Sequence, residues 1–152
     1  MVRDTYFQSI EAFKDKQVIK VLTGIRRCGK SVLMEQFMQS LLERGVSERQ
    51  ITYIRLDDLD NELLLEYHNL YAFIKSALLE DRMNYVFFDE IQMVENFQKV
   101  IDSLFLLDNV DIYVTGSNAY MLSGELATLL TGRYVEIKML PLSFKEYLQI
   151  TG

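Results

Sequence analysis

One cysteine, one histidine and one proline in 152 residues put several kinds of protein out of reach. A lone Cys28 excludes an intrachain disulfide, and with His68 as the single imidazole a structural zinc site of cysteine and histidine ligands has too few members. Long apolar runs are missing as well. No stretch approaches the roughly 20 residues that span a bilayer, and Met1-Val2-Arg3-Asp4-Thr5-Tyr6 has no apolar segment before a cleavage site. Neither secretion nor membrane insertion is expected, and the expected setting is cytoplasmic. Positive charge is in deficit: the formal net charge of −6 gives no general electrostatic reason to bind nucleic acid or an anionic membrane. No repeat, low-complexity tract or Gly/Ser/Pro-rich linker divides the chain, so residues 1–152 read as one domain, with 49% hydrophobic and 25% charged residues as in a soluble globular protein.

Against that plain background stands Gly24-Ile25-Arg26-Arg27-Cys28-Gly29-Lys30-Ser31, with the spacing Gly, four residues, Gly-Lys-Ser. It follows an apolar run (Val18, Ile19, Val21, Leu22) and precedes a helical pattern, the setting a phosphate-binding loop requires. The two glycines let the backbone curl tightly and approach an anion. Successive N–H groups then point into one concavity at a helix start, where the macrodipole also favours negative charge. The expected cradle runs from Gly24 through Val32. Lys30 is expected to reach the β- and γ-phosphates as a point charge, and the Ser31 hydroxyl to hold magnesium. Arg26 and Arg27 add positive potential for the phosphates. From average residue frequencies, four fixed positions arise by chance in on the order of one in a few hundred chains of this length, so a glycine turn capping an ordinary helix is the weaker reading.

Around the loop, strands and helices alternate. Tyr6, Ile10 and Phe13 predict a helix near 4–15, and Leu33, Met34, Phe37, Met38, Leu41 and Leu42 a helix ending near Gly45. Strands are expected at 51–56, 85–88, 110–115 and 133–137, and helices through Leu70–Leu78, Phe97–Phe105 and Leu122–Leu130, with a last one beginning beyond Pro141. With the strand at 18–22, this predicts a three-layer α/β sandwich on a mostly parallel five-stranded sheet. All strand C-termini then lie at one ligand-binding rim. The chain stops as a helix begins, which suggests the N-terminal fragment of a longer protein.

The apolar run Tyr85-Val86-Phe87-Phe88 stops at Asp89-Glu90, about sixty residues after the loop. Asp89 is placed to hold the hydrated magnesium that Ser31 holds directly, and Glu90 to orient a water and accept its proton. Taken alone, paired acids after a strand equally well cap a turn. Thr115, Ser117 and Asn118 end the next strand, where a hydroxyl or amide can sense the γ-phosphate, or merely cap a turn. Arg133 either reaches the γ-phosphate of a neighbouring subunit or pairs with an acid of its own domain. Cys28 reads as a small side chain packed beneath the loop, His68 as a surface or packing residue, Asp57 and Asp58 as a capped turn rather than magnesium ligands, and Tyr6, Phe7 and Phe13 as core rather than an adenine pocket.

At these residues the chain resembles the AAA-like P-loop ATPases of archaea and bacteria in which an N-terminal ATPase domain precedes an uncharacterised C-terminal domain. The resemblance rests on Thr23-Gly24-Ile25-Arg26-Arg27-Cys28-Gly29-Lys30-Ser31, Phe88-Asp89-Glu90-Ile91-Gln92, Thr115-Gly116-Ser117-Asn118, Thr131-Gly132-Arg133-Tyr134 and Leu140-Pro141-Leu142-Ser143-Phe144. It implies an additional-strand catalytic-glutamate fold with the phosphate-loop strand at its centre, ATP as the nucleotide, and Gln92 as a further family position. Members look like regulatory or nucleic-acid-linked ATPases, sometimes with a nuclease-like C-terminal domain. That domain is absent from this sequence, and with it any output activity, nucleic-acid contact or sensor arginine it supplies.

Three functions follow as expectations. The first is an ATPase module that hydrolyses magnesium-ATP and changes its contacts with a C-terminal domain or partner as the γ-phosphate leaves. The second is a nucleotide-dependent switch with little hydrolysis, which arises if Arg133 acts only across a homo-oligomer interface. The third is a small-molecule kinase, which expects an arginine-bearing lid where this chain offers an Asp-Glu pair.

Overall fold

The five strands are built from the runs that alternation and apolarity single out. In a computed structural model, which describes residues 4–25, 28–117, 130 and 133–140, they are β1 (Ile19–Gly24), β2 (Ile51–Arg55), β3 (Asn84–Asp89), β4 (Val110–Ser117) and β5 (Tyr134–Lys138). The helices are α1 (Asp4–Ala12), α2 (Lys30–Glu43), α3 (Tyr67–Ala77) and α4 (Phe97–Phe105). All four strand pairings are parallel, in the order β2-β3-β4-β1-β5. β4 is thus the strand inserted between β1 and β3. It also holds the geometric middle, so the loop-bearing β1 lies one place off the centre the resemblance implies, flanked on both sides.

Side-chain alternation divides each strand between two apolar layers. Ile19, Val21, Val86, Phe88, Ile112 and Val114 pack on one face with Leu70 and Ile74 of α3 and Val100, Ile101 and Leu104 of α4. Leu22, Phe87, Tyr113 and Ile137 pack on the other with Leu33, Met34, Phe37 and Leu41 of α2 and Ile10 of α1. β1 and β3 are buried along their whole length, as strands covered on both faces are. Aromatic rings fill the second layer: Phe87 stacks on Tyr113 at 4.6 Å, and Phe37 meets Tyr113 at 5.2 Å.

Local chemistry ends the elements close to where the sequence predicts. Gly45 takes φ 96° after α2, a left-handed position that costs glycine little. α1 stops at Ala12, short of the expected residue 15, because the chain turns over Phe13–Asp15. Between β2 and α3 the chain makes 3-10 turns over Leu59–Leu65 that no periodicity announces. The expected helices at 122–130 and beyond Pro141 fall outside the described residues, apart from residue 130.

The sheet also buries charge at the end away from the loop. Lys20 of β1 ion-pairs with Asp111 of β4, both essentially inaccessible. The ammonium also donates to the Lys16 carbonyl at 2.7 Å, while Asp111 accepts from the Tyr113 hydroxyl at 2.7 Å and the Asp15 N–H at 2.9 Å. Burial pushes the Asp111 carboxyl up and the Lys20 amine down, each toward its neutral form, against their mutual attraction. Removing one partner leaves the other charge stranded. Lys20→Met is expected to lower unfolding free energy by about 3 to 5 kcal/mol, measured by urea denaturation; a loss under about 1 kcal/mol shows that the pair holds nothing in place.

Candidate functional site

The last residue of β1 and the first of α2 frame the glycine-rich turn. A Cβ on Gly24 would stand 2.5 Å from the Cys28 Sγ and 2.8 Å from the Met139 carbonyl oxygen, so only glycine lets the chain leave the sheet there. Gly29, at φ 97°, makes the second bend directly before α2. Cys28 is 1% exposed, packed beneath the turn as its size predicts. Arg26 and Arg27 lie outside the described residues, while Ile25 and Val32 stand half-exposed at either end of the turn.

Lys30, buried at the start of α2, folds its ammonium back into the loop. It donates to the Gly24 carbonyl at 2.7 Å and the Ile25 carbonyl at 3.1 Å, with the Cys28 Sγ at 3.9 Å. Two neutral carbonyls are weaker partners than phosphate oxygens. The position therefore holds a lysine charge where an anion can exchange for them.

Opposite the loop, Asp89 ends β3 at 1% exposure. Three hydroxyls hold it: Ser31 donates to Oδ2 at 2.6 Å, Tyr53 of β2 to the same oxygen at 2.7 Å, and Thr115 of β4 to Oδ1 at 2.6 Å. The first contact joins the two halves that the sequence places fifty-eight positions apart. A hydroxyl has one hydrogen and two lone pairs, so Ser31 can give its hydrogen to Asp89 and still offer oxygen to a cation. Burial and the neighbouring carboxylate push the Tyr53 phenol up, which keeps it a neutral donor.

Glu90 follows in a left-handed conformation, φ 60° and ψ 54°, which is uncommon outside glycine and costs on the order of 1 kcal/mol. Its N–H donates to the Thr115 Oγ1 at 2.9 Å, which fixes the bend. The turn puts the side chain at the rim, where the Gln92 amide donates to Glu90 Oε2 at 2.5 Å. The other end of that amide, Gln92 Oε1, is buried without a partner among the described residues.

The remaining expected residues separate clearly. Ser117 stands beside Gly24 in the β1–β4 register, at the loop, whereas Thr115 is taken up by Asp89; Asn118 is outside the described residues. Arg133 immediately precedes β5, whose Tyr134 pairs with Ile19, at the opposite end of β1 from Gly24. Five residue rises, roughly 16 Å, separate those ends. Its guanidinium lies 5.7 Å over the Phe105 ring and its charge draws down the Asp102 carboxyl that burial pushes up. As a catalytic group of its own subunit's site Arg133 is therefore set aside: a parallel strand begins at the rim away from the ligand. Asp57 pairs with Arg55 at 3.4 Å and Asp58 caps the next turn, accepting from the Asp60 N–H at 2.9 Å. His68 is exposed and bonded to Glu66, and Phe7 packs on Phe37. Tyr53 has no forewarning in the sequence beyond its place in a strand. Gln92 belongs to a noted tetrad whose chemistry only the contact with Glu90 reveals.

Among the described residues, no group of three or more His, Cys, Asp or Glu gathers as a metal cage. Ser31 with Asp89 instead resembles in chemistry the sparse oxygen sets with which proteins hold magnesium when phosphates and waters complete its shell. The donor chemistry fits that ion.

Comparison with known proteins bears on the family and the fold. The family described as AAA domain matches residues 16–148. An uncharacterised protein of Haemophilus influenzae is 44% identical over 147 residues, covering 96% of this chain and 37% of that protein. The uncharacterised protein MJ1544 of Methanocaldococcus jannaschii is 36% identical over 136 residues, covering 86% of this chain and 28% of its own. The chain thus spans about a third of the length of these curated relatives. Among solved structures, a closed state of Hsp104 superposes with TM-score 0.74 at 16% identity (97% of this chain, 29% of that one), and AMPPCP-bound DnaA from Aquifex aeolicus with 0.61 at 17% (97% and 48%). Those structural likenesses speak for the fold, and with the matched family they make the chain a member of the AAA domain family of P-loop, ATPase-like nucleotide-binding modules.

Proposed function

We propose that this domain binds ATP with magnesium and hydrolyses it, with Glu90 as general base, as the motor or regulator of a following domain or partner. The observation that carries the reading is the 2.6 Å hydrogen bond from Ser31 to Asp89, which joins the helix after the glycine loop to the acid after β3. Lys30 exchanges its loop carbonyls for phosphate oxygens, and the amides from Gly24 to Val32 line the anion. Magnesium, when bound, neutralises the triphosphate and orients it. Ser31 and Asp89 are the groups that would hold it. Glu90 takes the proton of the attacking water, and Ser117 beside Gly24 contacts the γ-phosphate. The relatives, roughly three times as long, leave room for a further domain on which the nucleotide state would act. No helix among the described residues is long and apolar enough to cross a membrane, in keeping with a cytoplasmic module.

A second reading is a nucleotide-dependent switch with little intrinsic turnover. It is favoured by the Gln92 amide on Glu90 and by the placement of Arg133 at the far rim, which leaves that arginine to act on a neighbouring copy.

ATP binding and phosphate release across protein concentration distinguish these readings. Lys30→Ala is expected to lose nucleotide binding. Glu90→Gln is expected to keep binding while turnover falls about 10²- to 10⁴-fold. Unchanged ATP affinity in Lys30→Ala overturns the site. Turnover that rises with protein concentration in the wild type and not in Arg133→Ala assigns the arginine to a neighbouring subunit; equal turnover by both removes it from the chemistry. Phosphate appearing on an added hydroxyl acceptor instead of in solution makes the domain a kinase.

A further inference from the structure

Asp89 accepts from three side chains, and every one of them is a neutral hydroxyl. A cation stands close by and is not used. In the β2–β3 register Arg55 is the direct neighbour of Asp89, yet its guanidinium bonds Asp57 at 3.4 Å and is half-exposed. Tyr53, opposite Phe87, instead reaches diagonally along the strand pair to Asp89 Oδ2, a span that its long side chain covers with a neutral O–H at the tip. The difference matters for a carboxylate that serves a cation. A guanidinium would orient Asp89 but cancel the charge that attracts magnesium, whereas phenol and alcohol dipoles orient it and leave the charge intact.

We propose that Tyr53 is a positioning residue for magnesium, holding Oδ2 of Asp89 in place together with Ser31 so that the carboxylate faces the ion's site in one orientation with no cation paired to it. The inference rests on the reading of Ser31 and Asp89 as magnesium-holding groups. Ser31 and Thr115 stem from the loop helix and from β4; Tyr53 adds the edge strand, and the three together fix both carboxylate oxygens. Outer partners of this kind govern metal affinity about 10- to 100-fold. Removing the phenol hydroxyl leaves Oδ2 with Ser31 alone and frees the carboxylate to turn. Nucleotide contacts made by Lys30 and the loop amides do not pass through Tyr53, so magnesium-free affinity is untouched.

The test titrates magnesium chloride into the full chain with a fluorescent ATP analogue, following analogue binding and, separately, the melting temperature with nucleotide present. Tyr53→Phe keeps the ring and removes one hydroxyl. Tyr85→Phe, whose phenol bonds Asp15 at the other end of the sheet, is the control for losing a partly buried hydroxyl. The expected result is a magnesium midpoint raised roughly 10- to 100-fold in Tyr53→Phe, unchanged analogue affinity without magnesium, and a wild-type midpoint in Tyr85→Phe. A Tyr53→Phe midpoint equal to wild type, or an equal shift in both variants, overturns the role of Tyr53 and leaves the nucleotide site standing. A wild type that binds no analogue, or binds it without regard to magnesium, overturns both.

Discussion

A buried carboxylate with three hydroxyl donors is the constraint on which the site depends. Asp89 ends β3 where water no longer reaches it, and an ionised group so placed is costly unless its oxygens are satisfied. Ser31, Tyr53 and Thr115 satisfy them from three separate elements. Each donor is therefore tied to the others through one side chain: the helix after the glycine loop, the edge strand and the inserted strand β4 all converge on two oxygens. Thr115 extends the chain of contacts by accepting the Glu90 N–H, so the bend that turns Glu90 outward hangs from the same hydroxyl that holds Asp89.

The sheet order supplies the rest. With β4 inserted between β1 and β3, the loop and the acids leave the same rim across one intervening strand. Polar groups of Thr115 and Ser117 fill that gap, one toward the acid and one toward the loop. The opposite rim has separate work. There Lys20, Asp111 and Tyr113 form a buried network capped by the backbone N–H of the exposed Asp15 in the turn that follows α1, and Arg133 lies on Phe105. Binding chemistry and buried structural charge thus occupy opposite ends of the same strands.

Much of this is legible in the sequence because it is dictated locally. The glycines at 24 and 29 announce the loop, since no other residue fits the contact at one and the backbone angle at the other. The strands announce themselves through apolar or alternating runs, and Asp89-Glu90 through the abrupt end of the unbroken run Tyr85–Phe88. What stays hidden depends on tertiary reach. Alternation tells which face Tyr53 occupies, not that its oxygen arrives at Asp89. Lys20 and Asp111 break the apolar pattern of their strands, but nothing in the spacing says that they meet. The leucines of Leu59–Leu65 follow no helical or strand period, so their turns have no signature. Arg133 is legible only in part: its position before a strand is readable, and parallel topology carries that position to the end of β1 opposite Gly24, but its nearness to Asp102 has no sign in the spacing.

In the proposed function, Ser31 and Asp89 act as one magnesium-holding unit beside a triphosphate. The most direct measurement is ATP affinity with and without magnesium for the wild type and Ser31→Ala. The account predicts that magnesium tightens binding in the wild type and that this gain disappears in Ser31→Ala, with magnesium-free affinity similar in the two. A variant in which magnesium still tightens binding as it does in the wild type contradicts it.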